Sequence, residues 1–133
     1  MPAEDPIELL LEKAAQDEYV LDKLLLDPDA PSEIFGFHAQ QAVEKLLKAV
    51  LLAQGKTYPK IHSLARLIKL IKGQNIAFPK TFEELRSLTA FAIEFRYEAL
   101  PQELGEILDK KQIRQAIRDL RHWAEAICKT LSR

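Results

Sequence analysis

A chain of 133 residues and 15.2 kDa is sized for one domain, and 47% hydrophobic with 29% charged residues is too apolar for disorder throughout. The longest unbroken apolar run, Ala49 to Ala53, falls far short of the roughly 20 residues a membrane span needs, and the single cysteine, Cys128, excludes an internal disulfide and a cysteine-rich zinc site. A formal net charge of −1 and a pI near 6.3 set aside a strongly basic nucleic-acid binder while leaving a local basic face open, and four glycines leave little material for a glycine-rich phosphate loop.

The dominant period is 3.6 throughout, with no sustained two-residue alternation, and it predicts five helices. The first runs from about Asp5 to Leu26, with Asp5 as N-cap and Pro6 at the first helical position. Ile7, Leu10, Leu11, Ala14, Leu21, Leu24 and Leu25 share one side, and the prolines of Asp27-Pro28-Asp29-Ala30-Pro31 end it. The second runs from about Ser32 to Gln54, with Gly55 as its C′ residue. Its apolar arc, from Phe35 through Ala39, Val43, Leu46, Leu47 and Val50, is wide enough for a helix mostly surrounded by protein. A narrow polar stripe of His38, Gln41, Glu44, Lys45 and Lys48 crosses the rest.

The third helix is shorter, about Ser63 to Lys72. It buries Leu64, Leu67, Ile68 and Ile71 and turns Arg66, Lys69 and Lys72 to water. The fourth runs from about Phe82 to Tyr97, with Thr81 and Glu84 spaced as a capping box. The fifth runs from about Lys110 to Leu131 behind an Asp109 cap. Its core face holds Ile113, Ile117, Leu120, Trp123 and Ala124, and its other face holds Arg114, Arg118, Arg121 and His122. Long amphipathic helices with short links predict a single all-α domain over residues 1–133. The expected architecture is an antiparallel up-and-down bundle of four long helices plus one shorter helix. The opening Met-Pro-Ala-Glu-Asp-Pro carries neither a basic flank nor an apolar stretch, so the expected location is the cytoplasm and no membrane is involved.

A few polar residues invite a chemical reading. Arg96 projects onto the apolar arc of the fourth helix. There it either snorkels to water at the helix end or aims a donor fork at a phosphate or carboxylate. Tyr97 beside it either packs its ring, stacks on a base or accepts a modification. His38, Gln41 and Lys45, spaced i, i+3 and i+7, form a solvated edge, an anion or nucleotide site, or a subunit contact. His62 caps or packs the loop before the third helix, or joins that site. None of the three histidines has a second histidine or carboxylate at i+4, so no metal site is expected, and no cofactor. The stripe Arg114, Arg118, Arg121 is either a solvated face or a contact for a phosphate backbone. Cys128 reads as a small buried hydrophobe.

Three segments together carry a resemblance. They are Phe37-His38-Ala39-Gln40-Gln41-Ala42-Val43-Glu44-Lys45-Leu46-Leu47-Lys48-Ala49, Ile61-His62-Ser63-Leu64 and Phe95-Arg96-Tyr97. In order and setting they resemble the HEPN domain, the "higher eukaryotes and prokaryotes nucleotide-binding" bundle. The resemblance implies a four- to five-helix domain, commonly a homodimer, often paired with a minimal nucleotidyltransferase in a toxin–antitoxin-like system. Some members are metal-independent ribonucleases and others bind nucleotides. It assigns His38, Gln41 and Lys45 to the second-helix signature, His62 to the histidine before the third helix, and Arg96 with Tyr97 to the pair closing the fourth.

This chain departs from the nuclease members. They carry an arginine followed four to six residues later by a histidine near the fourth helix, and neither Arg86 nor Arg96 has one. Phe91 stands six before Tyr97, where a variant motif has arginine, and Glu98 follows the Arg-Tyr pair in place of the usual proline. The implied function is therefore a nucleotide- or RNA-binding or interaction module. The alternatives are a ribonuclease toxin with a non-standard constellation and a non-catalytic structural dimer.

Overall fold

The computed structural model describes residues 5–58, 60–73, 76–91 and 109–131. Among them there is helix and no strand. Helix α1, Pro6–Leu25, starts as expected: Asp5 accepts a hydrogen bond from the Ile7 amide at 2.9 Å, with Pro6 at the first position. It ends at a turn in which the Asp27 carboxylate accepts from the Asp29 amide at 2.9 Å.

Helix α2, Ser32–Ala53, is the central element and packs against α1, the segments that follow it and the last helix. Its wide apolar arc follows from that position: Phe35, Ala39, Ala42, Leu46, Leu47, Val50 and Leu51 are all fully buried. Gly55 closes it in the left-handed region at φ +79. The Gly55 amide donates to the Leu52 carbonyl and the Lys56 amide to the Leu51 carbonyl, the paired bonds of a Schellman cap. Helix α3, Leu64–Lys72, begins one residue later than expected, because Ser63 is its cap and accepts from the Arg66 amide.

The expected fourth helix, Phe82 to Tyr97, is where sequence and structure part. Helix α4 is short, Lys80–Glu83, and continues as a 3-10 helix over Glu84–Phe91. Pro79 precedes it, so the helix starts ahead of Thr81, and no side chain caps it. Phe82, Leu85, Leu88 and Phe91 are all buried. They recur every third residue, and a 3-10 helix with three residues per turn lines them up on one side. The expected continuation over residues 92–97 lies outside the described residues.

Helix α5, Lys110–Leu131, starts at Asp109, whose carboxylate accepts from the Gln112 amide at 3.0 Å. In it Ile117, Leu120 and Ala124 are fully buried, and Trp123 packs edge-on to Phe78 with ring centroids 5.2 Å apart. Arg114 pairs with Glu18 and Asp22, and Arg121 reaches Glu18 and the Leu11 carbonyl, so α5 runs antiparallel to α1. The described residues thus hold three long helices, the shorter α3, and the α4–3-10 segment where a fourth long helix was expected.

Two close approaches seat that segment. The Leu64 amide donates to Thr89 Oγ1 at 3.1 Å. A Cβ on Gly36 would stand 2.4–2.7 Å from the Phe91 ring, so the ring sits where only glycine leaves room.

Candidate functional site

The polar stripe of α2 is not a solvated face. It is a seam in which two acidic side chains gather the histidines and lysines. Asp17 on α1 is buried and faces α2. It accepts from His38 Nδ1 at 3.0 Å and from Lys45 Nζ at 2.5 Å. A carboxylate only accepts, so the His38 proton sits on Nδ1. Glu44, one turn along, is 5% exposed. It receives Gln40 Nε2 at 2.9 Å and His62 Nδ1 at 2.8 Å on one oxygen, and Lys48 Nζ at 3.0 Å on the other. Lys48 also lies over the Tyr58 ring, 4.9 Å from its centroid.

The two clusters are wired together. Gln41 donates to the Gln40 side-chain carbonyl at 2.7 Å and accepts from Lys45 at 3.5 Å, while the fully buried Gln40 also donates to the His62 backbone carbonyl at 3.3 Å. Burial penalises the Glu44 carboxylate, yet the hydrogen bonds from Gln40, His62 and Lys48, with the Lys48 charge, bring it below the usual carboxylate range. The side chains of His38 and His62 are 27% and 35% exposed. Each holds its Nδ1 on an acid, and its Nε2 makes no hydrogen bond among the described residues.

The structure therefore brings four of the six expected site residues onto one network: His38, Gln41, Lys45 and His62. Arg96 and Tyr97 lie outside the described residues. Sequence reasoning missed Asp17 and gave Gln40 no role. A signal was present: the α1 stripe Ile7, Leu10, Leu11, Ala14, Leu21 needs an inward position one turn before Leu21, and Asp17-Glu18 occupies it.

The same gap explains a correction on α5. Arg114 and Arg121 are not a solvated stripe. Arg114 is 7% exposed, forks onto Asp22 at 2.6 and 3.2 Å and donates to Glu18 at 3.1 Å. Arg121 donates to Glu18 and, at 2.9 Å, to Glu125. The hydrogen bond from Arg114 lowers the Asp22 carboxyl from its usual range, and Asp22 raises the Arg114 guanidinium in return. Only Arg118 of the three is exposed. Cys128 is buried, and burial, with Asp5 and Glu125 nearby, pushes its thiol up to about 11, which keeps it protonated and inert. Among the described residues no three His, Cys, Asp or Glu side chains are arranged to hold a metal ion, and no helix is long and apolar enough to cross a membrane.

Compared with protein families, the chain matches the HEPN domain over residues 7–131. The chain belongs to the HEPN family. The match covers nearly all of it, including every element that builds the seam. Comparison of the HEPN chain with curated proteins and with solved structures gave no match.

Proposed function

We propose that this HEPN domain is a nucleotide- or RNA-binding interaction module that works as a homodimer in the cytoplasm. Its partner is a minimal nucleotidyltransferase, in a two-component, toxin–antitoxin-like pair. The observation that carries the reading is the seam itself. His38, Gln41, Lys45 and His62 share one network beside α2, with both imidazoles partly exposed and no hydrogen bond at either Nε2 among the described residues. With neutral histidines the charges of Asp17, Glu44, Lys45 and Lys48 cancel and each imidazole, donating at Nδ1, presents an acceptor at Nε2, so the seam needs positive charge from elsewhere to hold an anion. The anion's countercharge is assigned to Arg96, with Tyr97 beside it as a stacking surface. Phe91, seated on Gly36, starts the intervening chain close to the His38 end of α2.

Arg96→Ala is expected to weaken nucleotide or RNA binding about tenfold or more, the worth of a charged hydrogen-bond donor, with thermal stability unchanged. Calorimetric titration beside a melting curve decides it. Lost stability with unaltered binding makes Arg96 structural.

One observation favours a second reading, a metal-independent ribonuclease. Imidazoles held at Nδ1 by carboxylates and open at Nε2 are arranged as general bases. The missing arginine–histidine motif argues against efficient cleavage. RNA incubated with the purified protein in a chelator is expected to stay intact. Cleavage that vanishes in His38→Gln or Arg96→Ala would favour the nuclease.

A further inference from the structure

A narrow trough of about 180 Å³ runs between α3 and the junction of α4 with its 3-10 continuation. Ala65 and Ile68 make its apolar floor, Lys69 and Lys72 stand on the α3 side, and Glu83 and Arg86 form the other side. Lys72 donates to Glu83 across it, and Arg86 Nη1 donates to the Glu83 carbonyl at 3.1 Å, which fixes the guanidinium at the rim. The Lys72 hydrogen bond, and then the charges of Lys72, Arg86 and Lys80, hold the Glu83 carboxyl below its usual range, so one acid feels three cations. Arg66, exposed one turn before Lys69, continues the line. Arg66, Lys69 and Lys72 climb the helix in steps of roughly 4.5 Å. The two elements thus carry Arg66, Lys69, Lys72, Lys80 and Arg86, three of which act on Glu83, in a chain whose formal net charge is −1. This is the local basic face that the bulk composition concealed.

We propose that this trough holds the phosphodiester backbone of single-stranded RNA, with phosphates against Lys69, Lys72 and Arg86 and sugars over Ala65 and Ile68. The inference deepens the reading above and rests on it, by naming a backbone contact on α3 apart from the α2 seam. Cations on both walls suit a flexible chain of regularly spaced anions. The trough is too small to seat an acidic helix, which is about 10 Å across.

The test is fluorescence anisotropy of a labelled single-stranded RNA against three double variants of the full chain. Lys69→Glu with Arg86→Glu reverses the trough's net charge, and both side chains are exposed, so the fold is retained. Lys69→Gln with Arg86→Gln is its milder form. Lys13→Glu with Lys129→Glu makes the same charge change on α1 and α5. The trough reversal is expected to weaken binding roughly tenfold or more and to flatten the dependence of log K on log salt by about 1.4, two single-strand contacts. The neutral pair loses less and the control pair little.

Equal losses in trough and control variants overturn the proposal. So does unchanged binding in the trough variants, absence of binding by the wild type, or displacement of RNA by poly-glutamate at equal charge. His38→Gln with Lys45→Gln separates the two readings. Loss there with an unaffected trough retires the trough and keeps the seam, and the reverse pattern keeps the trough and retires the seam.

Discussion

Burial alone would push a proton onto Glu44, and the hydrogen bonds from Gln40, His62 and Lys48 reverse the balance. The folded carboxyl sits below its ordinary value of 4.5, so the stability it contributes is present above that value. It is lost as pH falls through the lower, folded value. Glu44→Gln keeps the shape but leaves the nearly buried Lys48 without its counter-charge. It is expected to cost about 3 kcal/mol at neutral pH. Urea midpoints taken from about pH 7 down to pH 3 should show the wild type losing its advantage over Glu44→Gln on acidification. Parallel curves would mean that the Glu44 interactions carry no net charge preference. Neighbouring acids titrate in both proteins, so the difference isolates this side chain.

At the scale of elements, the glycines divide cleanly. Gly55 has nothing within 4 Å of a built Cβ, and only its φ of +79 resists substitution. Gly55→Ala should cost about 1 kcal/mol, all of it backbone. Gly36→Ala drives a methyl into the Phe91 ring. The expected cost is about 1–3 kcal/mol, confined to the 3-10 segment and its Leu64–Thr89 tie. Hydrogen exchange should therefore accelerate at residues 85–91 and at the Leu64 amide while α1 and α5 keep their protection. Uniform acceleration would show that the segment unfolds only with the whole domain.

Helices α1, α2 and α5 were legible because each carried two agreeing signals, a 3.6 period and a cap: Asp5 and Asp109 stand one residue before an observed start and Gly55 two residues past the observed end of α2, while α3 was read from its period with Ser63 counted into the helix it caps. The 3-10 segment was misread because Phe82, Leu85, Leu88 and Phe91 also satisfy a loose helical stripe, and only their unbroken spacing of three tells the tighter helix apart. The seam was half legible. A helical wheel placed His38, Gln41 and Lys45 on one edge. Whether that edge met water or α1 depended on Asp17, twenty-one residues earlier, and on packing that one helix's period does not report.

At the scale of the molecule, the first and last helices are joined by charge. Glu18 receives both Arg114 and Arg121, from nearly a hundred residues away, and is itself 5% exposed. Removing it by Glu18→Ala takes one charged partner from each guanidinium, leaving Arg114 on Asp22 and Arg121 on Glu125 and the Leu11 carbonyl, and should cost about 1.5–3 kcal/mol, a sizeable share of the roughly 5–15 kcal/mol that holds a domain of this kind. The converse change separates strength from specificity. Replacing all three charges at once, by Glu18→Leu, Arg114→Met and Arg121→Leu, removes the desolvation cost with the attraction. The triple variant should equal or exceed the wild type in denaturant midpoint.

The α1 stripe interrupted at Asp17-Glu18 and the α5 stripe interrupted at Arg114 and Arg121 then define the register of the pair. Apolar replacements would let α1 slide a turn along α5 at little cost. The expected signature is a stable triple variant whose Lys45–Asp17 and His38–Asp17 contacts are lost, read as altered His38 ring shifts in a spectrum otherwise dispersed like the wild type's. If the triple variant keeps those shifts, hydrophobic packing alone sets the register, and the clamp adds strength without choosing the arrangement.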